Sequence, residues 1–216
     1  MNTVLFDIGN VLASDFWEAI WLTPGSGLAD RLAVPVSLAA EAGKKLWRHY
    51  SLTPGEEADY WCEIQRSLGK KISAAMIQES ELSNIHANPR ARGTISSLVK
   101  AGCRVGVISN NTSFWAPKQL ARANVASLID RDLCFISSEL RADKTKSEPN
   151  LFHIAARHVD AAKTLIVDDR PHNLATAGTL GFQTFLYGQA TNTGQCASGY
   201  YAANNFDKLD LMPAWA

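Results

Sequence analysis

Five short apolar runs, separated by helix-like stretches, constrain the fold of this chain more than any other feature. The runs cover residues 3–6, 104–108, 133–136, 165–167 and 183–186. Stretches rich in helix formers fall between them, at residues 89–101, 113–124, 149–158 and 171–180. This alternation is typical of a parallel sheet whose strands are joined by helical crossovers. The sequence therefore predicts an α/β fold with a Rossmann-like, three-layer core around a parallel sheet.

The alternation breaks between residues 13 and 88, where helix formers are frequent and no run resembles a strand. We expect a helical insertion there, within a core formed by residues 1–12 and 89–190. The insertion contains four tryptophans: Trp17, Trp21, Trp47 and Trp61. Packing of these rings is favoured over ligand binding, because large aromatic side chains are usually highly buried. Residues 191–216 show little periodicity, and we expect them to form a tail that docks on the core.

Composition and charge exclude some classes of function. The chain has 216 residues, of which 46% are hydrophobic, and its 21 basic and 21 acidic residues balance. A balanced charge gives no argument for nucleic acid or an anionic membrane surface as a partner. No apolar stretch approaches the ~20 residues that cross a bilayer. The four cysteines are scattered without a CxxC pair, which favours buried free thiols and a cytoplasmic protein. The oligomeric state is left open.

Polar side chains follow three of the apolar runs at the points where they end. Asp7 follows the first run, Ser109 and Asn110 follow the second, and Asp168 and Asp169 follow the fourth. Because the carboxyl ends of parallel strands meet at one edge of a sheet, we expect these side chains to lie together. Adjacent aspartates repel each other unless a cation is held among them, and hard oxygen ligands favour Mg²⁺. Turn formation and helix capping are the ordinary alternatives for each residue taken singly.

In their order along the chain, these motifs resemble those of the haloacid dehalogenase superfamily of aspartate-nucleophile hydrolases. Residues 6–11 (FDIGNV) resemble the first motif, 107–110 (VISN) the second, 146–152 (KSEPNLF) the third and 166–169 (IVDD) the fourth. Each motif is weak by itself, but the ordered set is specific. The resemblance spans the chain apart from the insertion and the tail, and the insertion lies where the superfamily places a small helical cap.

The resemblance implies a reaction and a metal. Asp7 would attack phosphorus to form an aspartyl-phosphate that water then hydrolyses. The cofactor would be Mg²⁺, held by Asp7, the peptide oxygen of Gly9, Asp169 and Asp168, the last either as a ligand or as support for one. Lys146 would stabilise the nucleophile and the phosphate charge.

Three further residues are candidates for substrate binding. Ser109, Asn110 and Asn111 can offer hydroxyl, amide and peptide N–H groups to phosphoryl oxygens. Lys144 competes with Lys146 for the role of the catalytic lysine. The residues that follow Lys146 match the third motif of the superfamily, and this favours Lys146.

The chain departs from the superfamily pattern at Gly9, where phosphatases commonly carry a second aspartate. Gly9 has no side chain to protonate the leaving oxygen, although its carbonyl can still bind a metal. Its presence favours substrates whose leaving groups need little protonation, such as anomeric sugar phosphates, acyl phosphates or aryl phosphates. Asp15, in the adjacent loop, is a candidate for a substitute acid.

The sequence thus predicts a Mg²⁺-dependent phosphatase that acts on a small phosphorylated metabolite, such as a sugar phosphate. One alternative is a 2-haloacid dehalogenase, which also uses an attacking aspartate but needs no metal; the pair Asp168 and Asp169 argues against it. Another alternative is a binding protein that kept the fold and lost its activity, as Gly9 suggests. The intact Asp7 and Lys146 argue against this alternative.

Overall fold

A seven-stranded sheet forms the centre of the protein. The structure is a computed structural model that describes residues 2–145, 150–188, 194–195, 201–203 and 206. The strands are β1 (Thr3–Phe6), β2 (Arg104–Ser109), β3 (Cys134–Ile136), β4 (Thr164–Asp168), β5 (Gln183–Tyr187), β6 (Gly194–Gln195) and β7 (Tyr201–Ala203). They lie in the order β3-β2-β1-β4-β5-β7-β6, and all neighbours are parallel except β6 and β7. The five strands predicted from the sequence are confirmed.

Helices of the core lie between these strands. They are α6 (Ala91–Lys100), α7 (Ala116–Arg122), α8 (Ser137–Leu140), α9 (Leu151–Ala155) and α10 (Pro171–Thr179). Helix α9 begins later than predicted because Asn150 caps it, accepting hydrogen bonds from the backbone N–H groups of Phe152 and His153, and it ends at Ala155, before the predicted end at residue 158.

The strand order places β1 in the interior of the sheet, with a parallel neighbour on each side. β1 pairs with β2 on one side and with β4 on the other, so that Phe6 lies opposite both Val107 and Val167. Side chains alternate between the two faces of β1: Val4 and Phe6 join one apolar core and Leu5 joins the other. The chain runs outward from β1 to β3 and then returns to β4. Ligands bind at such reversals in open α/β sheets.

The insertion consists of helices. Residues 14–88, all of which are described, contain no strand and form α1 (Phe16–Leu22), α2 (Leu28–Arg31), α3 (Val36–Tyr50), α4 (Glu57–Leu68) and α5 (Ala74–Asn84). These helices share a separate apolar core that includes Trp17, Trp21 and Trp61. Trp115, at the start of α7, belongs to the same cluster and stacks on Phe16 with ring centroids 4.5 Å apart.

A cluster of polar contacts fastens the insertion to α7. The ammonium group of Lys118 lies 2.7 Å from carboxylate oxygens of both Glu57 on α4 and Glu81 on α5. The same oxygen of Glu57 also accepts hydrogen bonds from the indole N–H groups of Trp61 and Trp115. The insertion therefore has a defined position over the carboxyl end of the sheet.

Most of the expected tail, residues 191–216, lies outside the described residues. Within it, β7 pairs with β5, and the buried ring of Phe206 lies 5.6 Å from that of Phe6 and 4.6 Å from that of Tyr187. The cysteines in the described part of the chain are free thiols, but Cys62 is exposed and Cys103 and Cys134 are half-buried, so the prediction of buried thiols was wrong for all three. Among the described helices, none combines the length and the apolar character that a membrane span needs.

Candidate active site

Asp7 lies directly after β1, at the carboxyl end of an interior strand of the sheet. Its backbone N–H continues the sheet by donating to the carbonyl oxygen of Val167, at 2.8 Å. Its Oδ1 accepts hydrogen bonds from the N–H of Ile8 and the hydroxyl of Ser109, both at 2.7 Å. The side chain of Asp7 is only 12% exposed. These contacts fix one carboxylate oxygen and leave the other for an ion pair.

Lys144 is the cation beside this carboxylate. Its Nζ lies 2.8 Å from Oδ2 of Asp7 and 2.6 Å from Oδ2 of Asp168, and its side chain is 1% exposed. The backbone N–H of Lys144 donates to Oδ1 of Asn110, at 3.0 Å. Asn110, which follows β2, therefore holds Lys144 in place between Asp7, after β1, and Asp168, at the end of β4.

The sequence motif favours Lys146 for this role, but the structure brings Lys144 to the two carboxylates. Lys146 lies outside the described residues. The reason is the path of the loop: the N–H of Leu151 donates to the carbonyl of Asp143 at 3.0 Å, which places Lys144 beside the start of α9. The spacing of a sequence motif does not reveal such a long-range hydrogen bond.

Asp168 is buried, and the groups around it occupy both of its oxygens. Besides Lys144, it accepts hydrogen bonds from the backbone N–H of Arg170 at 2.9 Å and from the side-chain amide of Asn173 at 3.0 and 3.1 Å. This full set of donors suits a carboxylate that holds Lys144 rather than one that faces a ligand.

Three carboxylates from two strand ends come together here. Asp7, Asp168 and Asp169 each offer an oxygen, and these oxygens lie within 4.8 Å of one another. Asp169 lines the pocket described below and receives a hydrogen bond from the side chain of Asn10. Asn10 adopts a left-handed conformation with φ of 58° in the turn after β1.

Electrostatics of the cluster show a shortage of positive charge. Burial raises the pKa of Asp7 to about 7; Lys144 opposes this rise and Asp168 adds to it. Burial, and then the charge of Asp168, also raise the pKa of Asp169. Burial would lower the pKa of Lys144, but Asp168 and Asp7 hold it above its ordinary value, so this lysine is charged. One lysine does not balance three carboxylates.

The three candidates for substrate binding have different surroundings. Ser109 donates to Asp7, as described, and Asn110 uses its amide oxygen to hold Lys144. Asn111 also lines the pocket, but its amide N–H group donates to Gln119 at 2.7 Å and its backbone N–H donates to Ser137 at 2.8 Å. These hydrogen bonds fix the loop after β2, and the amide of Asn111 is already engaged.

A pocket of about 210 Å³ opens above Asp7, between the core and the insertion. The insertion contributes apolar surface from Phe16, Trp17 and Trp47. Trp17 and Trp47 therefore serve both packing and the pocket, whereas the sequence analysis favoured packing alone. This volume suits a small metabolite, since drug-sized ligands occupy ~300–1,000 Å³.

Asp15 lies next to Gly9, and both residues line the pocket. A Cβ atom added to Gly9 would lie 3.4 Å from Oδ2 of Asp15, so this carboxylate lies beside the position toward which a side chain at residue 9 would project. Oδ1 of Asp15 caps α1 by accepting the N–H of Glu18, and its own N–H donates to Asn10. Burial, followed by the charge of Glu18, raises the pKa of Asp15 to about 6.

The sequence analysis did not identify Asn173, Gln119 and Lys44 as pocket residues. Asn173 lies in the first turn of α10, five residues after Asp168, and a polar side chain at that helix start was a usable signal. Gln119 and Lys44 lie on helices whose placement over the site depends on tertiary packing, and no local pattern marks them.

Comparison with known proteins gives one curated relative and several structural neighbours. No protein-family model matches the chain. It is 25% identical over 163 residues to (S)-2-haloacid dehalogenase 1 of Pseudomonas sp. (strain CBS-3), a match that covers 67% of this chain and 70% of that protein.

Two solved structures show the same fold. One is an enzyme of the HAD family from Bacteroides thetaiotaomicron in complex with magnesium and inorganic phosphate; it has a TM-score of 0.65 and 17% identity, and covers 89% of this chain and 96% of its own. The other is the L-2-haloacid dehalogenase of Xanthobacter autotrophicus with covalently bound chloropropionic acid, with a TM-score of 0.58, 16% identity and coverage of 89% and 79%. The fold, the order of the motifs and the curated relative together support a relationship to the haloacid dehalogenase superfamily of hydrolases.

Proposed function

We propose that this protein is a Mg²⁺-dependent phosphatase that removes phosphate from a small phosphorylated metabolite through an aspartyl-phosphate on Asp7. The observation that carries the proposal is the cluster of Asp7, Asp168 and Asp169, whose oxygens lie within 4.8 Å of one another beside one buried lysine. An anionic substrate cannot approach such a cluster unless a further cation is present.

The donor set suits Mg²⁺. Lys144 offsets one of three negative charges, and a divalent cation offsets the remaining two. Carboxylate oxygens of Asp7 and Asp169 and the peptide oxygen of Gly9 are hard ligands of the kind that Mg²⁺ prefers. Asp168 supports Lys144 in this proposal, because its oxygens already accept hydrogen bonds. When bound, the metal supplies a Lewis acid that stabilises negative charge on the phosphoryl group.

The residues of the chain carry two displacements at phosphorus. In the first, an oxygen of Asp7 bonds to phosphorus while the bond to the ester oxygen of the substrate breaks and its electron pair stays on that oxygen. In the second, water attacks phosphorus and passes its proton to the carboxylate of Asp15, which has given its own proton to the leaving oxygen; the bond from phosphorus to Asp7 breaks, which releases inorganic phosphate and restores the carboxylate of Asp7. Ser109 and Lys144 hold the two oxygens of Asp7 in place, and Lys144 also offsets the charge that gathers on the phosphoryl oxygens.

Asp15 supplies the proton that the leaving oxygen needs. Its carboxylate lies beside the position that a side chain at residue 9 would take, and it lines the same pocket as Asp7. Its raised pKa, about 6, keeps part of its population protonated near neutral pH. With this acid present, the substrate range extends to alkyl esters, beyond the activated phosphates that Gly9 alone suggests.

A second candidate function is dehalogenation of a 2-haloacid. The curated relative carries that name, and the aromatic rings of Phe16, Trp17 and Trp47 would suit a small, partly apolar substrate. The placement of Asp169 in the pocket favours the phosphatase, because a third carboxylate repels the carboxylate of a haloacid when no metal is bound.

One panel of assays separates these functions. Phosphate release from sugar phosphates, phosphorylated acids and acyl phosphates is measured with Mg²⁺ and with excess chelator, and chloride release from 2-chloropropionate is measured under both conditions. The phosphatase proposal predicts phosphate release that needs Mg²⁺ and is abolished in Asp7→Asn. Chloride release without Mg²⁺, together with no phosphate release, would instead support the dehalogenase.

A trapping experiment tests the binding-protein alternative. Beryllium fluoride with Mg²⁺ is expected to bind Asp7 as an analogue of the aspartyl-phosphate and to raise the melting temperature of the wild type but not of Asp7→Asn. A wild type that shows neither this shift nor turnover of any compound in the panel would favour a protein that kept the fold without the activity.

A further inference from the structure

Lys44, on helix α3 of the insertion, borders the pocket above Asp7. It belongs to the exposed residues that line this pocket, which are Lys44, Arg170 and Glu18. Two of these three carry positive charge. The rim of the pocket therefore favours an anionic group on the part of a ligand that points away from Asp7.

Close packing fixes the position of Lys44. A Cβ atom added to the preceding residue, Gly43, would lie 2.7 and 2.8 Å from ring carbons of Trp17, so α3 lies directly against that ring. Trp17 itself lines the pocket, and so does Trp47, one turn after Lys44 on the same side of α3. The backbone of Lys44 is thus held at the pocket wall, and its side chain is exposed.

The other cations of the pocket are already engaged. Lys144 is held between Asp7 and Asp168, and Nε of Arg170 lies 4.0 Å from Asp169. Among the residues that the structure describes, no ion pair involves Lys44. A cation that borders a pocket and has no partner of its own is available to a ligand.

We infer that Lys44 binds a second anionic group of the substrate, so that the preferred substrates carry a carboxylate or a second phosphate in addition to the phosphate that Asp7 attacks. This inference rests on the proposed function, because it assumes that the first phosphate lies at Asp7. It makes Lys44 a determinant of specificity and gives it no part in the bond-breaking steps.

The test measures binding and turnover of matched three-carbon compounds with Mg²⁺ present. Glycerol 3-phosphate has a neutral tail, 3-phosphoglycerate carries a carboxylate, and 1,3-propanediol bisphosphate carries a second phosphate. Calorimetry on Asp7→Asn, which cannot turn substrate over, gives Kd, and the wild-type background gives KM and kcat. Lys44→Gln is compared with Lys45→Gln, since Lys45 is also exposed but lies outside the pocket lining.

Lys44→Gln is expected to weaken binding of the two doubly anionic compounds about tenfold more than that of glycerol 3-phosphate, in Kd and KM rather than kcat. A larger effect on one of them identifies the second group as carboxylate or phosphate. Equal losses for all three compounds, or the same differential loss in Lys45→Gln, would overturn the inference. Absence of phosphate release from every compound, with the difference in Kd retained, would reject the proposed reaction and leave the anion site supported.

Discussion

The role of Asp15 leads to a prediction that depends on the leaving group. Asp15→Asn removes the proton donor and keeps the cap of α1, because asparagine accepts the N–H of Glu18 as well as aspartate does. Its oxygen can still receive that hydrogen bond, so the melting temperature is expected to change little. A loss of activity in this variant can then be assigned to the missing proton.

The expected size of the effect follows from the chemistry of the leaving oxygen. General acid help is worth ~10²–10⁴-fold for a poor leaving group and little for a good one. Asp15→Asn is therefore expected to lower kcat/KM for an alkyl phosphate by about 10²-fold or more and to change the rate for 4-nitrophenyl phosphate by less than about threefold.

The pH dependence follows from the raised pKa of Asp15, about 6. The acid works when protonated, so its contribution is complete below this pKa and is lost as pH rises through it. At pH 7 about a tenth of the Asp15 side chains remain protonated, because their pKa lies about one unit below that pH. The wild-type rate for the alkyl ester is expected to fall above pH 6, and Asp15→Asn to remove this fall.

A second variant tests the geometry directly. The Cβ of an aspartate at residue 9 would make an ordinary contact of 3.4 Å with Asp15, and Asp15→Ala frees that space. The double variant Gly9→Asp, Asp15→Ala is expected to regain at least about tenfold in alkyl phosphate turnover over Asp15→Ala alone. Glu18→Gln is the charge control: because the charge of Glu18 raises the pKa of Asp15, this variant should move the fall in the alkyl-ester rate to lower pH without removing it. Equal losses on both substrates in Asp15→Asn, or no recovery in the double variant, would refute the role of Asp15.

Three further predictions concern the lysine, the metal and the core. Lys144→Met is expected to lower kcat for phosphate release by about 10²–10³-fold, whereas Lys146→Met should stay within about twofold of the wild type. Circular dichroism checks that both variants fold. The opposite ranking would assign the role of the catalytic lysine to Lys146. The pKa of Asp7 is raised from 3.8 in the unfolded chain to about 7 in the folded one, so the metal-free protein loses stability as pH rises between these two values. Mg²⁺ should therefore raise the melting temperature more at pH 8 than at pH 5. An equal shift at both pH values would contradict a site built on Asp7. Gly106→Ala is expected to cost about 3 kcal/mol or more, because its Cβ would overlap a neighbouring backbone carbonyl, while the exposed Gly93→Ala, which meets nothing within 4 Å, should stabilise by about 0.5–1 kcal/mol in chemical unfolding.

The strands and the place of the site follow from local sequence. The run that ends at Phe6 is apolar at Val4, Leu5 and Phe6, as a strand buried on both faces requires, and the next residue is the charged Asp7. Parallel strands present their carboxyl ends at one edge, so residues 109 and 168 had to lie near Asp7 once the strands were neighbours. Periodicity and strand ends are local properties, and local properties are readable in a single sequence.

The identity of the lysine and of the acid depends on contacts between distant residues. Lys144 reaches Asp7 because Asn110 and the start of α9 hold its loop, and a loop path is set by such hydrogen bonds rather than by motif spacing. Asp15 lies beside Gly9 because the chain turns back through Asn10 into α1. The sequence by itself determined the sheet and the edge at which the acidic groups gather, whereas only the tertiary structure decided which lysine meets Asp7 and which side chains of the insertion border the pocket, because burial and long-range hydrogen bonds act between residues that no local pattern connects.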